Sequence, residues 1–409
     1  MRPARIVCLD LDTFFVSVER LIDPSLEGKP VIVGGAPGSR GVVTACSYEV
    51  RAHGVRSGMS LTEAARLAPD AIYLPTRHDT YGDYAAKVRE IASSYTPESR
   101  VASIDEMYLD FRGCERVYAR PGDADADATI ERVVREITAR IRAELGLPSS
   151  AGIGSSRSVA KIASGLAKPA GVRMVRAGEE AAFLAPLPVR RLPGIGPVAE
   201  GRLVGAGITT IGALAGATIA TLRPILGAWA ESTRARASGE GSAELGRDRP
   251  AFREHDEEGD AIGSISNERT FDADVGDPRA VEDWLASLTE RVCWRARRRG
   301  VRARTITLKL RYADFSTRTR SKTTSPTHSE LEVWPIVLEL FAAAHTRPRA
   351  RVRLVGLALS NLGHFDDQLE LFERHERLHR AVDEVRARFG FDALRTARGL
   401  TVERGRGER

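Results

Sequence analysis

The chain opens with an apolar stretch that ends on two acids. Five apolar residues in six positions have the length of a buried β-strand: Ile6, Val7, Cys8, Leu9 and Leu11. Because side chains alternate across a strand, Asp10 and Asp12 are predicted to leave the same face. Neighbouring carboxylates repel each other unless a cation lies between them. The alternative interpretation is that both acids lie at a frayed strand end and cap a helix beginning at Thr13.

A second acidic pair, Asp105 and Glu106, lies within another stretch of strand character. The apolar residues around the pair indicate a strand: Val101, Ile104, Tyr108, Leu109 and Phe111. In a regular strand the two acids would point to opposite faces, so they can converge only near a turn or a strand end. If they converge beside Asp10, the three carboxylates form a hard-oxygen site suited to Mg²⁺. Two such ions promote in-line displacement at phosphorus, which predicts phosphoryl or nucleotidyl transfer.

The remaining hydrophobic pattern predicts two α+β blocks. In the first block the order strand, helix, strand, strand, helix, strand is that of a ferredoxin-like fold, and its long amphipathic helix spans Ile130 to Leu145. A small block of short strands and helices precedes residue 78, and Ser60 is predicted to cap one of its helices. After residue 261, four strands and two helices predict a second α+β domain.

The stretch Leu192 to Pro197, followed by a short helix, predicts a helix-hairpin-helix. Gly194 and Gly196 would let backbone N–H groups at a helix N-terminus approach a phosphate, which gives DNA contact independent of base sequence. A plain turn between two helices is the alternative. Residues 239–250 are rich in glycine, charge and turn residues, and they predict a linker.

Composition indicates a soluble protein of several domains. A chain of 409 residues, with 42% hydrophobic and 28% charged residues, predicts two to four domains with sizeable cores. The absence of a long apolar run or a signal-peptide pattern predicts a cytoplasmic protein with no membrane contact. Four well-separated cysteines indicate neither a disulfide framework nor a zinc site.

Positive charge is concentrated in one part of the chain. Between Arg291 and Lys322, twelve Lys and Arg side chains stand against a single acid, Asp314. Such a run is typical of a surface that binds a polyanion. Alternation of Arg318, Arg320 and Lys322 predicts one basic strand face directed at backbone phosphates.

Four ordered motifs resemble those of a known family. They are D-L-D-T-F-F from Asp10, S-Y-E-V-R at Ser47–Arg51, S-I-D-E at Ser103–Glu106 and A-K-P at Ala167–Pro169. Together they are similar to the signature of Y-family translesion DNA polymerases, nearest to the DinB, or DNA polymerase IV, branch. The resemblance covers residues 5–361.

This resemblance implies a multidomain α+β fold. Its parts are a ferredoxin-like catalytic palm, small fingers, a helical thumb with a helix-hairpin-helix, and a C-terminal α+β little finger that binds DNA. The implied boundaries are palm 1–17 and 78–170, fingers 18–77, thumb 171–238, linker 239–250, little finger 251–361 and tail 362–409.

The catalytic residues follow from the same resemblance. Asp10, Asp105 and Glu106, with the backbone carbonyl of Leu11, would hold two Mg²⁺ ions, for which Mn²⁺ can substitute. Asp12 is not among the ligands and is expected to be structural. A 3′-hydroxyl would attack the α-phosphate of a deoxynucleotide, and pyrophosphate would leave.

The family match also assigns a nucleotide pocket. Tyr48, Arg51 and Lys168 would hold the incoming triphosphate, a task to which guanidinium and ammonium groups are suited. Phe14 and Phe15 belong to the same pocket, and Phe15 would be the sugar gate, the bulky ring that excludes a 2′-hydroxyl. Each assignment has an alternative. Arg51 could be an exposed helical arginine, and Lys168 could compensate a helix dipole. Phe14 and Phe15 could be core residues only.

The tail carries a further expected contact. Gln368, Leu369, Leu371 and Phe372 belong to Q-L-E-L-F, which resembles the peptide that bacterial polymerases insert into the sliding clamp. The alternative is packing against a predicted tail helix, Leu378 to Phe389. The implied partners are primer-template DNA, deoxynucleoside triphosphates and the clamp, bound by a monomer.

The chain departs from the family pattern at three positions close to Asp105 and Glu106. Arg100 and Val101 replace the usual acid and proline, and Met107 replaces a small residue, which bears on local geometry and fidelity. One rival is a non-catalytic protein that binds DNA and the clamp, and intact acids argue against it. The other is a metal-dependent nuclease, which has no need of a triphosphate clamp.

Overall fold

The computed structural model describes residues 4–245, 263–347, 349–364 and 374–397. The chain divides into two compact units, Met1–Arg253 and Glu254–Arg409. Each unit has its own hydrophobic core. None of the helices in the described part combines the length and apolar content needed to cross a bilayer.

The first unit contains eight strands and twelve helices among its described residues. In chain order they are β1 (Ile6–Leu11), α1 (Phe14–Ile22), β2 (Val31–Val33), β3 (Ala45–Cys46), α2 (Tyr48–Arg51), α3 (Leu61–Leu67), β4 (Ile72–Leu74), α4 (His78–Ser93), β5 (Glu98–Val101), β6 (Glu106–Asp110), α5 (Glu115–Tyr118), α6 (Ala126–Leu145), β7 (Ser149–Gly154), α7 (Arg157–Ala167), β8 (Val172–Met174), α8 (Glu180–Leu184), α9 (Pro197–Gly205), α10 (Ile211–Gly216), α11 (Ile219–Leu226) and α12 (Ala230–Ala237).

A five-stranded sheet in the order β5-β6-β1-β7-β8 forms the palm, with β1 antiparallel to both neighbours. The predicted ferredoxin-like order is confirmed. One correction concerns the palm boundary, because β8 pairs with β7 beyond residue 170. Gly171 permits this return, since a Cβ there would lie 2.2 Å from the Ala167 carbonyl oxygen.

The two faces of the palm sheet have different roles. Val7, Leu9 and Leu11 point into a core shared with buried residues of α4 and α6. On the opposite face, α7 packs against β7 and β1. This close approach requires Gly152, because a Cβ there would lie 2.1 Å from backbone atoms of α7. The face that carries Asp10 is therefore bordered by a helix held close to the sheet.

The fingers and thumb have smaller cores. The fingers sheet has the order β3-β2-β4. Ser60 caps α3, as predicted, because its hydroxyl accepts a hydrogen bond from the Glu63 N–H at 3.1 Å. The thumb helices surround Leu192, Leu203 and Leu214, which are buried.

The predicted linker is packed over its first part, which corrects the sequence interpretation. Leu245 is buried against Ile6 and Tyr108 on the palm. Arg157 fixes the segment twice: its N–H donates to the Ser242 carbonyl at 3.1 Å, and its guanidinium donates to the Leu245 carbonyl at 2.9 Å. Apolar burial therefore extends the first unit to residue 245, and residues 246–250 lie outside the described residues.

The second unit is a four-stranded antiparallel sheet in the order β11-β10-β12-β9, with helices packed on one face. Its elements are β9 (Ser264–Val275), α13 (Pro278–Arg298), β10 (Arg302–Tyr312), β11 (Thr317–Thr327), α14 (Glu330–Ala344), β12 (Val352–Gly363) and α15 (Arg374–Phe389). The predicted tail helix is present as α15. Its Arg386 pairs with Glu290 of α13, so this helix is part of the unit.

Candidate active site

The acids of the two sequence motifs meet at adjoining strand ends. Asp10 of β1 lies directly opposite Glu106 of β6 in the antiparallel register. Asp105 precedes β6, and its carbonyl accepts a hydrogen bond from the Leu11 N–H at 2.9 Å. Asp105 and Glu106 therefore lie at a strand end, the position where the sequence allowed them to converge.

Each of the three carboxylates has a polar partner. The Lys168 ammonium bonds Asp10, the Lys161 ammonium bonds Glu106, and the Ser103 hydroxyl donates to Asp105. Sequence analysis did not identify Lys161. Its position on α7, four residues after the start of that helix, becomes informative only once α7 is placed against the sheet.

The pKa of Asp10 reflects its burial and the charges around it. Burial raises the pKa of Asp10 to about 6, Lys168 acts against this shift, and the charges of Asp105 and Glu106 add to it. The charges of Asp105 and Glu106 therefore disfavour the ionised form of Asp10. A cation in their midst would relieve that repulsion.

The donor set matches a hard divalent cation, although the side chains are not gathered around one point. Within the described residues, no three His, Cys, Asp or Glu side chains are placed to ligate a common ion. Two ammonium groups instead neutralise the carboxylates of Asp10 and Glu106. Carboxylate oxygens at two adjoining strand ends are the chemistry that Mg²⁺ prefers. The residues present therefore fit such an ion in kind.

Asp12 has a structural environment distinct from that of Asp10. It is 1% exposed, and its carboxylate accepts hydrogen bonds from the Ser150 hydroxyl at 2.8 and 3.0 Å and from the Ala170 N–H at 2.7 Å. It does not cap α1, whose first turn has no side-chain cap. Asp12 therefore joins β7 to the loop after α7.

Two of the predicted triphosphate contacts meet at Asp12. The Tyr48 hydroxyl donates to an Asp12 oxygen at 3.4 Å, and the Lys168 ammonium lies 3.7 Å from the same oxygen. Burial and the Asp12 charge raise the pKa of Tyr48 to about 12, so its hydroxyl stays protonated. The Arg51 guanidinium lies 5.1 Å from the centre of the Tyr48 ring. The fingers and the palm thus contribute adjacent polar groups.

Phe14 and Phe15 are both buried beside the strand that carries Asp10. Phe14 packs in the hydrophobic core, and its place in the nucleotide pocket stays a prediction. The Phe15 ring stacks on Tyr81, and the Tyr81 hydroxyl donates to Glu19 at 2.6 Å. Tyr81 was missed by sequence analysis because it lies on α4, outside every motif. These contacts hold Phe15 in one orientation.

Comparison with known proteins identifies the family. The profile of the impB/mucB/samB family matches residues 9–165, and that of its C-terminal domain matches residues 263–371. The IMS family HHH motif matches residues 177–208. DNA polymerase IV of Dehalococcoides mccartyi strain CBDB1 is 38% identical over 97% of this chain and 98% of its own length. DNA polymerase IV of Alkalilimnicola ehrlichii is 37% identical over 88% of this chain and 96% of its own length.

The chain belongs to the DNA polymerase IV branch of the Y-family translesion DNA polymerases. Solved structures agree on the fold. A Y-family DNA polymerase chimera, Dbh-Dpo4(243-245)-Dbh, superposes with a TM-score of 0.75 at 23% identity, over 87% of this chain and 98% of that one. DinB from Sulfolobus solfataricus superposes with a TM-score of 0.57 at 24% identity over the same shares. Membership disfavours the rival accessory and nuclease functions, and polymerases of this family depend on divalent metal ions in general.

The thumb hairpin of this polymerase, residues 192–197, exposes backbone donors. Gly194 adopts the left-handed φ of +93°, and Gly196 precedes α9 without a side-chain cap. Among the described residues, the N–H groups of Gly194 and Gly196 find no acceptor. Burial of Leu192 and Ile195 fixes the loop on the thumb. The arrangement can offer N–H groups to an anion.

The basic residues of β11 lie together on one face of the strand. Arg318, Arg320 and Lys322 share one face as predicted, but they are register partners of the buried Leu310, Leu308 and Ile306 of β10. They therefore project on the helix-covered side, at the free edge of the sheet, and Lys322 bonds Glu339 of α14 at 2.5 Å. Alternation determines which residues share a face, whereas burial of β10 decides which face it is.

The open face of this sheet carries a different basic set. Lys309 and Arg311 lie there with a row of Thr and Ser hydroxyls. Lys309 pairs with Glu268 across Gly356, where a Cβ would lie 2.8 Å from the Glu268 side chain.

The predicted clamp peptide, Gln368, Leu369, Leu371 and Phe372, lies outside the described residues.

Proposed function

We propose that this protein is a template-directed translesion DNA polymerase that adds deoxynucleotides to a primer 3′ end during DNA damage tolerance and repair. The observation that carries the proposal is the meeting of Asp10, Asp105 and Glu106 at adjoining strand ends, beside Tyr48 and Lys168. Acids alone would also suit a nuclease. Groups suited to a triphosphate next to those acids favour nucleotidyl transfer.

Asp10, Asp105, Glu106 and the carbonyl of Leu11 would hold two Mg²⁺ ions, for which Mn²⁺ can substitute. When bound, the ions would lower the pKa of the primer hydroxyl and stabilise charge on the leaving pyrophosphate. The pairing of β1 with β6 fixes the backbone separation of Asp10 and Glu106. These two acids would therefore hold the ions at set positions. Asp12 would remain a structural residue of the palm, joining β7 to the loop after α7.

Nucleotide selection would depend on four residues. Arg51 would contact phosphate oxygens in a fork, Lys168 would exchange the Asp10 carboxylate for a phosphate, and the Tyr48 hydroxyl would donate to the triphosphate. Phe15, supported by Tyr81, would leave no space for a 2′-hydroxyl. The preference for deoxynucleotides would then come from a steric clash.

DNA would be held by groups that contact its backbone without reading bases. The exposed N–H groups of Gly194 and Gly196 suit one phosphate of the primer-template. In the little finger, Arg318, Arg320 and Lys322 would contact phosphates from the free edge of β11. Three boundaries differ from the sequence prediction: the palm sheet is longer, the linker is packed up to residue 245, and α15 belongs to the second unit. The other predicted subdomain boundaries are retained in this proposal.

The tail peptide would connect a monomeric, cytoplasmic polymerase to the sliding clamp. Gln368, Leu369, Leu371 and Phe372 supply the Leu and Phe side chains that peptide grooves accept. The function as a whole is tested by single-nucleotide incorporation on undamaged and lesion-containing templates with Mg²⁺. Template-matched incorporation is expected on both, and failure on undamaged primer-template would overturn the proposal.

A further inference from the structure

Arg236 of α12 reaches across the thumb to the hairpin. Its Nη1 donates to the Pro193 carbonyl at 2.8 Å, and its Nη2 donates to the Thr233 hydroxyl at 3.2 Å. A third and longer contact joins its Nε to the Ser232 carbonyl at 3.4 Å. A single guanidinium therefore connects the last thumb helix to the loop that precedes α9.

The charge of this guanidinium has no acidic partner in the described part of the chain. The hydrogen bonds of Arg236 are all to neutral oxygens, and burial alone lowers its pKa. By contrast, Arg223 in the same subdomain bonds Glu231 at 2.6 Å. A half-buried cation without a counter-charge is unfavourable unless an anion binds nearby.

The contact also determines the orientation of one peptide group. In a trans peptide, the carbonyl and the following N–H point in opposite directions. Since the Pro193 carbonyl is held toward Arg236, the Gly194 N–H points away from the guanidinium, and it has no acceptor among the described residues. The guanidinium lies directly behind the backbone of the hairpin, since a Cβ at Gly194 would be in ordinary contact with Nη2 of Arg236, at 3.7 Å.

We propose that Arg236 is a positioning residue of a phosphate-binding site formed by the thumb hairpin. It holds the Pro193–Gly194 peptide with its N–H directed outward, and it supplies a positive charge behind the amides of Gly194 and Gly196. The ligand is a backbone phosphate of duplex DNA. This inference rests on the proposed DNA-binding function of the hairpin.

The test uses the full-length protein and a fluorescein-labelled primer-template duplex. Arg236→Ala is expected to raise the Kd for this duplex, and the KM for it in single-nucleotide incorporation, by about tenfold. The kcat and the Tm are expected to stay near those of the wild type, because the chemistry and the thumb core are untouched. Arg234→Ala, an exposed arginine on the same helix, is the matched control and is expected to change neither constant by more than about twofold.

A conservative variant separates positioning from simple packing. Arg236→Lys keeps the charge and one donor for the Pro193 carbonyl, so it is expected to restore most of the DNA affinity. Arg236→Gln keeps a donor without the charge and is expected to restore less at low salt. Wild-type DNA affinity for Arg236→Ala would overturn the inference. A loss that Lys does not restore, accompanied by a lower Tm, would also overturn it.

Gly194→Ala distinguishes failure of this inference from failure of the hairpin itself. A Cβ at a φ of +93° is strained and lies beside the guanidinium, so this variant is expected to weaken DNA binding. If Gly194→Ala weakens binding and Arg236→Ala does not, the hairpin function stands and the role of Arg236 falls. If neither variant affects binding, the proposed hairpin function falls as well. If both act through one site, their combined effect is less than additive.

Discussion

The rings of Phe15 and Tyr81 stack nearly parallel, with centroids 4.1 Å apart and planes inclined by 16°. Phe15 is only 8% exposed, so a small edge of its ring remains accessible beside the strand that carries Asp10. Tyr81 is anchored in turn by its hydrogen bond to Glu19. A ring held on one side by stacking resists displacement by an incoming sugar, which is the property a sugar gate requires.

Replacing Phe15 with Ala is expected to raise ribonucleotide incorporation strongly, with a much smaller effect on deoxynucleotides. Removal of the ring opens space for a 2′-hydroxyl without removing a phosphate contact. The measurement is the ratio of kcat/KM for the two sugars in the wild type and the variant. Tyr81→Leu is expected to give a smaller change in the same direction. An unchanged ratio in Phe15→Ala would exclude Phe15 from the site.

Replacing Asp105 or Glu106 with Ala is expected to abolish incorporation while DNA affinity stays near that of the wild type. In the proposed mechanism the carboxylates hold the ions that stabilise transition-state charge, whereas DNA binding depends on phosphate contacts elsewhere. Incorporation and duplex affinity are measured on the same preparations. Near-normal extension by either variant would show that the metal-ligand assignment is wrong.

Deleting residues 368–372 is expected to leave synthesis on naked primer-template unchanged and to remove stimulation by the sliding clamp. Tethering raises the effective concentration of polymerase at the primer terminus and does not alter chemistry. Extension with and without loaded clamp is compared for both proteins. Equal stimulation of the two proteins by the clamp would favour the alternative, in which the segment packs against the tail helix.

How much of this molecule the sequence predicts depends on whether the signal is local. The acidic strand ends were predictable because apolar runs and adjacent acids lie within a few residues of each other. Lys161 and Tyr81 were not, since each acts through a partner more than 50 residues away. For the same reason the sequence did not predict that residues 241–245 pack against the palm. Leu245 is the one buried residue in this segment, and its contacts are with residues far away in the chain.

Glu330 is expected to make the second unit sensitive to acid. Burial by itself would raise the pKa of its carboxyl, but hydrogen bonds from His379 and Arg297 lower it from 4.5 to about 2. A lowered folded-state pKa stabilises the protein above the unfolded value, and this contribution is lost as the pH falls from 4.5 toward 2. The size of the shift corresponds to about 3 kcal/mol.

This acid sensitivity is measured by thermal unfolding between neutral pH and pH 3, with Glu330→Gln as the comparison. The variant is expected to be less stable at neutral pH and to lose less stability on acidification. Parallel curves for the two proteins would exclude Glu330 as the titrating group. The bidentate contact from Arg297, at 2.7 and 2.8 Å, is the interaction that protonation would weaken.

The last prediction concerns the ion pair that joins the tail to the second unit. Arg386 of α15 bonds Glu290 of α13 at 3.0 Å, and the two side chains are only 3% and 4% exposed. Arg386→Ala would leave the Glu290 carboxylate buried without that counter-charge, so a loss of about 3–5 kcal/mol in the free energy of unfolding is expected.

Arg223→Ala is the matched control for this ion pair. Its bond to Glu231 is shorter, at 2.6 Å, but both side chains are more than 60% exposed. Solvent screening limits such a pair to less than about 1 kcal/mol. Burial rather than distance is therefore expected to determine which variant unfolds first in urea. Equal midpoints for the two variants would mean that α15 contributes little to the stability of the second unit. A clear difference would mean that the contact between α15 and α13 stabilises the second unit.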